Sequence, residues 1–197
     1  TLEGNPAIIH GGPFANIAQG TNTIIATKMG LSLCNYVVTE AGFGADLGAE
    51  KFMDIKCGYG DLSPDALVIV ATIRALRHHG GAKKDQYGNA SVDRVSVGFS
   101  NLEKHIENMK KFGLTPVVAI NHRVGDTKEE IIVVQEKCAA LGVNAVVSMG
   151  WADGGNGAQD IAQAVVNSIE SGANNFNRLY DWNAPVVEKI ETIAREI

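Results

Sequence analysis

Apolar residues follow two patterns along this chain, and the two patterns alternate. Short runs rich in β-branched residues predict buried strands at residues 6–10, 36–39, 65–72, 115–121 and 144–149. Apolar residues at three- and four-residue spacing predict helices at residues 16–34, 49–57, 101–112, 128–141, 158–171 and 185–197. Strands that alternate with helical crossovers indicate the α/β class, with a mainly parallel sheet flanked by helices in three layers.

Local sequence signals support two of these segments and predict one surface loop. Residues 65–72 form a continuous apolar run, which is typical of a strand buried on both faces of a parallel sheet. Asn101 is the predicted N-cap of the helix at residues 101–112. The stretch near residues 82–95 turns polar and rich in Gly, Asn and Asp, which predicts a surface loop. We expect residues 1–197 to form a single α/β segment.

Composition excludes several classes of partner. The 197 residues are 45% hydrophobic, enough for a substantial core, and carry a formal net charge of -5. Without clustered Lys and Arg, this charge argues against a nucleic-acid partner. No apolar run approaches the roughly 20 residues of a membrane helix, so no membrane association is expected. Three cysteines without a CxxC pair predict neither disulfides nor zinc, and they fit a reducing cytoplasm.

The first candidate site is the acidic, glycine-broken loop that follows the predicted strand at residues 36–39. It carries Glu40, Asp46, Glu50 and Lys51. Ligands of open α/β sheets bind beyond the carboxyl ends of the strands, so these side chains are placed to meet a phosphate, Mg²⁺ or a polar substrate. An ordinary strand-to-helix loop with surface charges explains the same pattern equally well.

Three more regions with unusual strand-end loops are expected at the same edge of a parallel sheet. Residues 10–20 would bring glycine amides and a helix N-terminus towards an anion. Arg74 could clamp a phosphate or carboxylate, whereas Arg77 and the two following histidines fit a solvated helix face. Trp151, in a glycine-rich loop, offers a flat apolar surface to a heteroaromatic ligand or else covers the edge of the core.

Four segments together resemble the formate-tetrahydrofolate ligase family. They are His-Gly-Gly-Pro-Phe-Ala-Asn-Ile-Ala-Gln-Gly (10–20), Val-Thr-Glu-Ala-Gly-Phe-Gly-Ala-Asp-Leu-Gly-Ala-Glu-Lys-Phe (38–52), Val-Ala-Thr-Ile-Arg-Ala-Leu-Arg-His-His-Gly-Gly (70–81) and Trp-Ala-Asp-Gly-Gly (151–155). The similarity covers essentially all 197 residues, which correspond to part of a family chain. The family's phosphate-binding loop lies N-terminal to this part, and no G-x-x-x-x-G-K-[ST] motif occurs here.

The resemblance implies a P-loop NTPase-like parallel fold and an ATP-dependent reaction. Formate would attack the γ-phosphate of ATP to give formyl phosphate, and N10 of tetrahydrofolate would then take the formyl group. It further implies Mg²⁺, a monovalent cation, assembly into a homo-oligomer and contact with the remainder of the ligase chain. We expect the 197 residues alone to be inactive.

The resemblance also assigns residue roles. Trp151 and Val147 match a wall that holds a flat folate or nucleotide ring, and Gly12, Phe14 and Asn16 match the glycine segment beside the ligands. Asp46 is the candidate metal ligand, with Glu40, Glu50 and Arg74 as further catalytic candidates. Asn121 is a further cofactor-binding candidate, and it opens a loop that departs from many relatives, with Arg123 in place of an aromatic residue and Val124 in place of a frequent proline. This departure keeps a second reading open, a non-catalytic folate- or nucleotide-binding paralogue or an interaction domain.

Overall fold

The computed structural model describes residues 1–9 and 21–197. The candidates Gly12, Phe14 and Asn16 therefore lie outside the described residues. The helices are α1 (Ile24–Leu33), α2 (Cys57–Gly60), α3 (Ile73–His79), α4 (Val92–Lys111), α5 (Lys128–Ala140), α6 (Gly150–Asp153), α7 (Gln159–Glu170) and α8 (Val186–Glu196). The strands are β1 (Val68–Ala71), β2 (Val117–Asn121) and β3 (Ala145–Ser148). Two π-helical turns, Ala45–Ala49 and Phe52–Lys56, precede α2, and 3₁₀ turns cover Lys84–Gln86 and Gly154–Ala158.

The three strands form a parallel sheet in the order β1-β2-β3, as the α/β prediction required. Val68 lies opposite Val117, and Val118 lies opposite Ala145. Helices α3 and α4 connect the first pair of strands, and α5 connects the second. The carboxyl ends of all three strands therefore lie at one edge of the sheet, which we call the carboxyl edge.

The core of this sheet lies around β2. The side chains from Val117 to Ile120 are all buried, which matches an uninterrupted apolar strand covered on both faces. The outer strand β1 differs from the prediction. Ile69 is buried, but Val68 is 40% and Val70 is 64% exposed, so only one face of β1 is covered.

The predicted strand at residues 36–39 is wrong. These residues form no strand, and Tyr36 and Val38 are 55% and 94% exposed. The described part of the run at residues 6–10 likewise forms no strand. A strand exists only as part of a hydrogen-bonded ladder, so an apolar run without a neighbouring strand cannot form one.

Helix α4 begins at Val92 and not at residue 101 as predicted. Ser91 is the N-cap, since its hydroxyl accepts a hydrogen bond from the Arg94 amide, and Asn101 lies in the middle of the helix. The predicted surface loop therefore gives way to helix at Val92. Gly98 lets α4 approach α3 closely, because a Cβ there would collide with the Leu76 carbonyl oxygen.

The chain divides into two compact units. The first unit comprises residues 1–63 and 177–197, and the second comprises residues 64–176 with the parallel sheet. In the first unit, the ring of Trp182 packs edge-on against Tyr59, with 4.9 Å between ring centroids. Among the described residues, no helix is both long and apolar enough to cross a bilayer.

A buried ion pair joins α3 to α5 in the second unit. The Arg77 guanidinium donates to both carboxylate oxygens of Glu130, from Nε at 2.8 Å and from Nη2 at 2.6 Å. It also donates to the carbonyl oxygens of Tyr87 and Gly125, each at 2.9 Å. Arg77 is only 2% exposed, so the prediction of a solvated face is wrong for this residue.

Glu130 holds the other side of this network. Its carboxylate accepts hydrogen bonds from the Ser91 amide at 2.8 Å and from the Thr127 amide at 3.0 Å. Burial raises the pKa of Glu130, but the hydrogen bonds from Arg77, Ser91 and Thr127 outweigh burial and lower the pKa to about 2. The side chain is therefore ionised at neutral pH and satisfied by protein donors.

Replacing Glu130 should show how much the ion pair with Arg77 contributes to the free energy of unfolding. We expect Glu130→Gln to lower the free energy of unfolding at pH 7 by about 3 to 5 kcal/mol, because a buried charge loses its counter-ion. The folded-state pKa lies below the unfolded one, so this stabilisation is complete above pH 4.5 and disappears as the pH falls towards 2.

Urea denaturation of the wild type and the variant across pH 7 to 2 measures this difference. Glu136→Gln, on the exposed side of α5, removes the same charge and should change stability by less than about 0.5 kcal/mol. Equal losses for the two variants, or a loss at Glu130 that does not shrink in acid, would contradict the assignment.

Candidate functional site

The segments that follow the three strands meet at the carboxyl edge. Thr72 follows β1, His122 follows β2 and Met149 follows β3. The His122 amide donates to the Ser148 carbonyl oxygen at 3.1 Å, which extends the β2–β3 pairing beyond the strand end. Within the second unit, the expected convergence of strand-end segments is therefore present, as parallel pairing requires.

Trp151 lies at this edge with most of its ring in solvent. It belongs to α6, a single helical turn directly after β3, and its side chain is 65% exposed. The guanidinium carbon of Arg123 lies 4.8 Å from the centroid of the Trp151 ring. This distance is typical of a cation–π contact. The structure thus brings together the loop after β2 and the loop after β3 through these two side chains.

The loop that carries Arg123 is held by backbone and side-chain hydrogen bonds. The Arg123 amide donates to Asp126 Oδ2 at 2.8 Å, and the Asp126 amide donates to the Arg123 carbonyl oxygen at 3.1 Å. Arg77 holds the same loop through the Gly125 carbonyl oxygen. Thr127 caps α5 and forms a capping box with Glu130. Asp126 therefore holds the backbone of Arg123, and the buried ion pair holds the same loop at Gly125 and Thr127.

The other candidate residues of the second unit differ in how far their side chains are exposed to solvent. Asn121 ends β2 opposite Ser148 and is half-buried, and Val147 is half-buried in β3 opposite Ile120. Arg74 is exposed in the first turn of α3, with its guanidinium carbon 5.3 Å from the Tyr87 ring centroid. The Tyr87 hydroxyl contacts His78 Nδ1 at 2.7 Å.

The acidic loop lies in the first unit. Glu40 and Asp46 are exposed, whereas Glu50 is half-buried at the end of the first π-helical turn. Gly44 makes room for Asp46, because a Cβ at Gly44 would collide with the Asp46 carboxylate. Phe43 lies between Glu40 and Gly44 in the sequence. It adopts a left-handed backbone conformation with φ 62°, and its side chain is 68% exposed. Such a conformation is uncommon for an aromatic residue.

The acidic loop offers little for a metal ion on its own. Within residues 1–9 and 21–197, no cluster of three or more His, Cys, Asp or Glu side chains could hold a metal. Asp46 nevertheless fits Mg²⁺ as one exposed carboxylate, since Mg²⁺ is commonly held by one or two carboxylates with substrate phosphates and water. A single exposed carboxylate leaves the remaining coordination positions of Mg²⁺ to ligands from outside this loop.

A buried lysine follows the acidic loop. Lys56 is 2% exposed, and its Nζ donates to Asn22 Oδ1 at 2.5 Å and to Thr21 Oγ1 at 3.2 Å. Thr27 and Thr39 also donate to Asn22 Oδ1. In the described part of the chain, no carboxylate forms an ion pair with this ammonium group. Burial lowers the pKa of Lys56 to about 8, since the charged form is poorly solvated there.

A buried carboxyl lies two residues before Lys56. Asp54 is 4% exposed and accepts a hydrogen bond from the Leu179 amide at 3.3 Å. Burial raises the pKa of Asp54 to about 6, although this hydrogen bond and the positive charge of Arg178 act in the opposite direction. Burial also raises the pKa of the Cys57 thiol to about 12, which disfavours the nucleophilic thiolate form.

Sequence reasoning missed these buried polar side chains. Phe52, Met53, Lys56 and Cys57 fall on one side of the helical segment, so a charge within an apolar stripe was the available signal for Lys56. For Glu130, the signal was its position three residues after Thr127, the spacing of a capping box. No local pattern pointed to the contact between Arg123 and Trp151.

Comparisons with known proteins agree with the resemblance. A family model described as formate-tetrahydrofolate ligase matches residues 1–197. Curated proteins of that name from Pelagibacter ubique, Maricaulis maris and Granulibacter bethesdensis are each 55% identical over 197 residues. The matches cover 100% of this chain and 35%, 35% and 34% of the three relatives. The chain thus spans about a third of the length of these relatives.

Asp54 generates a prediction with the opposite pH dependence from Glu130. Its folded-state pKa lies above the unfolded value, so the native state is favoured when Asp54 is protonated and loses stability as the pH rises through about 6. We expect Asp54→Asn to be more stable than the wild type at pH 8 by about 1 to 2 kcal/mol, and equally stable near pH 4.

Urea denaturation at these two pH values checks this expectation. The amide side chain introduced by Asp54→Asn keeps an oxygen that accepts from the Leu179 amide, so the hydrogen bond is retained. The exposed Asp85→Asn serves as the charge-matched control and should show no such pH-dependent gain. A variant that is less stable than the wild type at pH 8 would show that ionised Asp54 stabilises the fold.

Proposed function

Because the chain belongs to the formate-tetrahydrofolate ligase family, we propose that it forms part of an ATP-dependent enzyme that joins formate to tetrahydrofolate. The product would be 10-formyltetrahydrofolate. Since the chain spans about a third of its relatives, the proposal places turnover in a longer protein, and the 197 residues would act with the remainder of that chain.

The observation that supports this proposal best is the exposed ring of Trp151 at the carboxyl edge. A large flat apolar surface in this position suits a planar heteroaromatic ligand. Arg123 lies against the ring, and Asn121 and Val147 lie on the adjoining strand ends. In the proposed enzyme this wall would hold the folate or nucleotide ring while the reacting groups meet nearby.

The proposed reaction has two steps. A formate oxygen attacks the γ-phosphorus of ATP and ADP leaves; N10 of tetrahydrofolate then attacks the formyl carbon and phosphate leaves. Arg74 would neutralise phosphate charge with its exposed guanidinium. Asp46 would hold Mg²⁺, which supplies charge neutralisation at the phosphates when bound. Glu40 and Glu50 are proposed as further catalytic residues, and Gly12, Phe14 and Asn16 are proposed to bind a cofactor.

Further features of the proposal follow from the family. We include a monovalent cation, assembly into a homo-oligomer and a cytoplasmic location. Binding without turnover remains the alternative, and one observation favours it. Arg123, where many relatives have an aromatic residue, covers part of the Trp151 ring, so the site differs in its ring contact from an all-aromatic wall.

The activity itself is the first test. We expect the full-length protein to form 10-formyltetrahydrofolate only when formate, ATP and Mg²⁺ are all present. Product formation is followed by absorbance after acid conversion to the methenyl form. Tight tetrahydrofolate binding without any product would support the non-catalytic alternative. Absence of both binding and product from a folded protein would refute the proposal.

Trp151→Ala tests the ring contact. We expect it to weaken tetrahydrofolate or nucleotide binding by on the order of 1 to 3 kcal/mol, because a stacked ring loses its platform. Isothermal titration of the full-length variant with each ligand measures the loss. Trp182→Phe, in the first unit, replaces the other tryptophan and should leave both dissociation constants unchanged. If Trp151→Ala leaves the dissociation constant unchanged, Trp151 does not contact the ligand and has only a structural role.

A further inference from the structure

Arg74 lies against an aromatic ring that a neighbouring loop supplies. Its guanidinium carbon is 5.3 Å from the centroid of the Tyr87 ring, a distance typical of a cation–π contact. Arg74 is exposed in the first turn of α3, directly after the segment in which Thr72 follows β1. Within residues 1–9 and 21–197, no ion pair joins Arg74 to a carboxylate. The positive charge of Arg74 therefore remains for a group that approaches from solvent.

Two residues of α3, one helical turn apart, contact the Tyr87 ring. Arg74 and His78 are four residues apart and so lie on the same face of the helix. The Tyr87 hydroxyl contacts His78 Nδ1 at 2.7 Å, and the two rings meet edge-on with 5.2 Å between their centroids. The ring of Tyr87 therefore packs along the face of α3 that Arg74 and His78 share.

The backbone of Tyr87 is held separately from its ring. The Tyr87 carbonyl oxygen accepts a hydrogen bond from Nη1 of the buried Arg77 at 2.9 Å. The 3₁₀ turn Lys84–Gln86 directly precedes Tyr87, and the Gln86 amide donates to the Lys83 carbonyl oxygen at 2.8 Å. Because these contacts do not involve the Tyr87 side chain, we expect the loop to keep its path when another residue replaces the ring.

The contact between Arg74 and Tyr87 restricts the guanidinium without occupying its donors. A cation–π contact uses the face of the ring, so the N–H groups of the guanidinium stay available for hydrogen bonds. A mobile arginine side chain loses rotamer freedom when it binds an anion. A guanidinium that already lies on a ring has lost part of this freedom beforehand, which lowers the entropic cost of binding. Such a guanidinium is suited to bidentate hydrogen bonds with a phosphate or carboxylate group.

We infer that Tyr87 is a positioning residue, whose ring preorganises the Arg74 guanidinium for an anionic group at the carboxyl edge. The inference rests on the proposed function, in which Arg74 meets a phosphate group of ATP. Tyr87 acts through Arg74 and has no contact of its own with the nucleotide. The place of the ring is set by His78 on α3, and the place of the backbone is set by Arg77.

Steady-state kinetics of the full-length protein test this role, with ATP and tetrahydrofolate varied in turn. We expect Arg74→Gln to lower kcat/KM for ATP about tenfold, because a charge-assisted contact with phosphate is lost. Tyr87→Leu should lower kcat/KM for ATP about threefold, the effect of an exposed cation–π contact. The KM for tetrahydrofolate should stay unchanged in Tyr87→Leu, since the ring acts only on the guanidinium that meets ATP.

Two further variants separate positioning from a general structural effect. Tyr87→Phe keeps the aromatic face and serves as the matched control, so its kcat/KM for ATP should stay within about twofold of the wild type. In the double variant, adding Tyr87→Leu to Arg74→Gln should cause no further loss, because the ring no longer has a guanidinium to hold. Circular dichroism verifies the folding of each variant, which we expect because Arg77 contacts only the backbone of Tyr87.

The outcomes separate the inference from the proposed function. An active wild type whose kcat/KM for ATP is unchanged in Tyr87→Leu or in Arg74→Gln overturns the inference and leaves the function standing. An equal loss in Tyr87→Phe and Tyr87→Leu also overturns it, because the hydroxyl and not the ring would then matter. A loss that persists in the double variant shows that Tyr87 acts independently of Arg74. A folded wild type that forms no product overturns both the inference and the function on which it rests.

Discussion

The buried pair of Arg77 and Glu130 is the constraint on which the second unit depends. Two charges away from water are stable only when each is hydrogen-bonded, and here the guanidinium and the carboxylate satisfy each other and four backbone groups. The backbone groups belong to the segment before α4 and to the loop after β2. This one ion pair therefore joins α3 to α5 and holds the loop that carries Arg123. The buried pair thus helps to position the loop at the carboxyl edge.

The sequence predicted those elements whose structure is decided locally or by complete burial. β2 was recognised because every one of its residues from Val117 to Ile120 is buried, and α5 because its cap, length and final glycine agree. The predictions that failed depend on partners. Residues 36–39 have the composition of a strand, but no strand lies beside them. Helix α4 begins at Val92, within the stretch near residues 82–95 whose polar composition predicted a loop.

The sequence predicted the shared carboxyl edge of the sheet but not the side-chain contacts that are made there. The carboxyl edge follows from parallel topology, whereas residue type left open whether Trp151 faces solvent or covers the edge of the core. The burial of Arg77 could not be predicted, because its counter-ion lies 53 residues away in sequence. Lys56 and Asp54 show the same limit, because polar groups from distant segments contact them. The spacing of residues along one helix indicates that a charged side chain is buried, but it does not identify the groups that contact this side chain.

The half-covered strand β1 has a consequence for how this polypeptide behaves. Val68 and Val70 are exposed apolar side chains on one face, and β1 is an edge strand that pairs only with β2 among the described strands. Unprotected apolar edges recruit other chains into intermolecular sheets. Material containing these residues alone is therefore expected to self-associate at high concentration, and a charged substitution at Val70 would be the simplest means of keeping it dispersed.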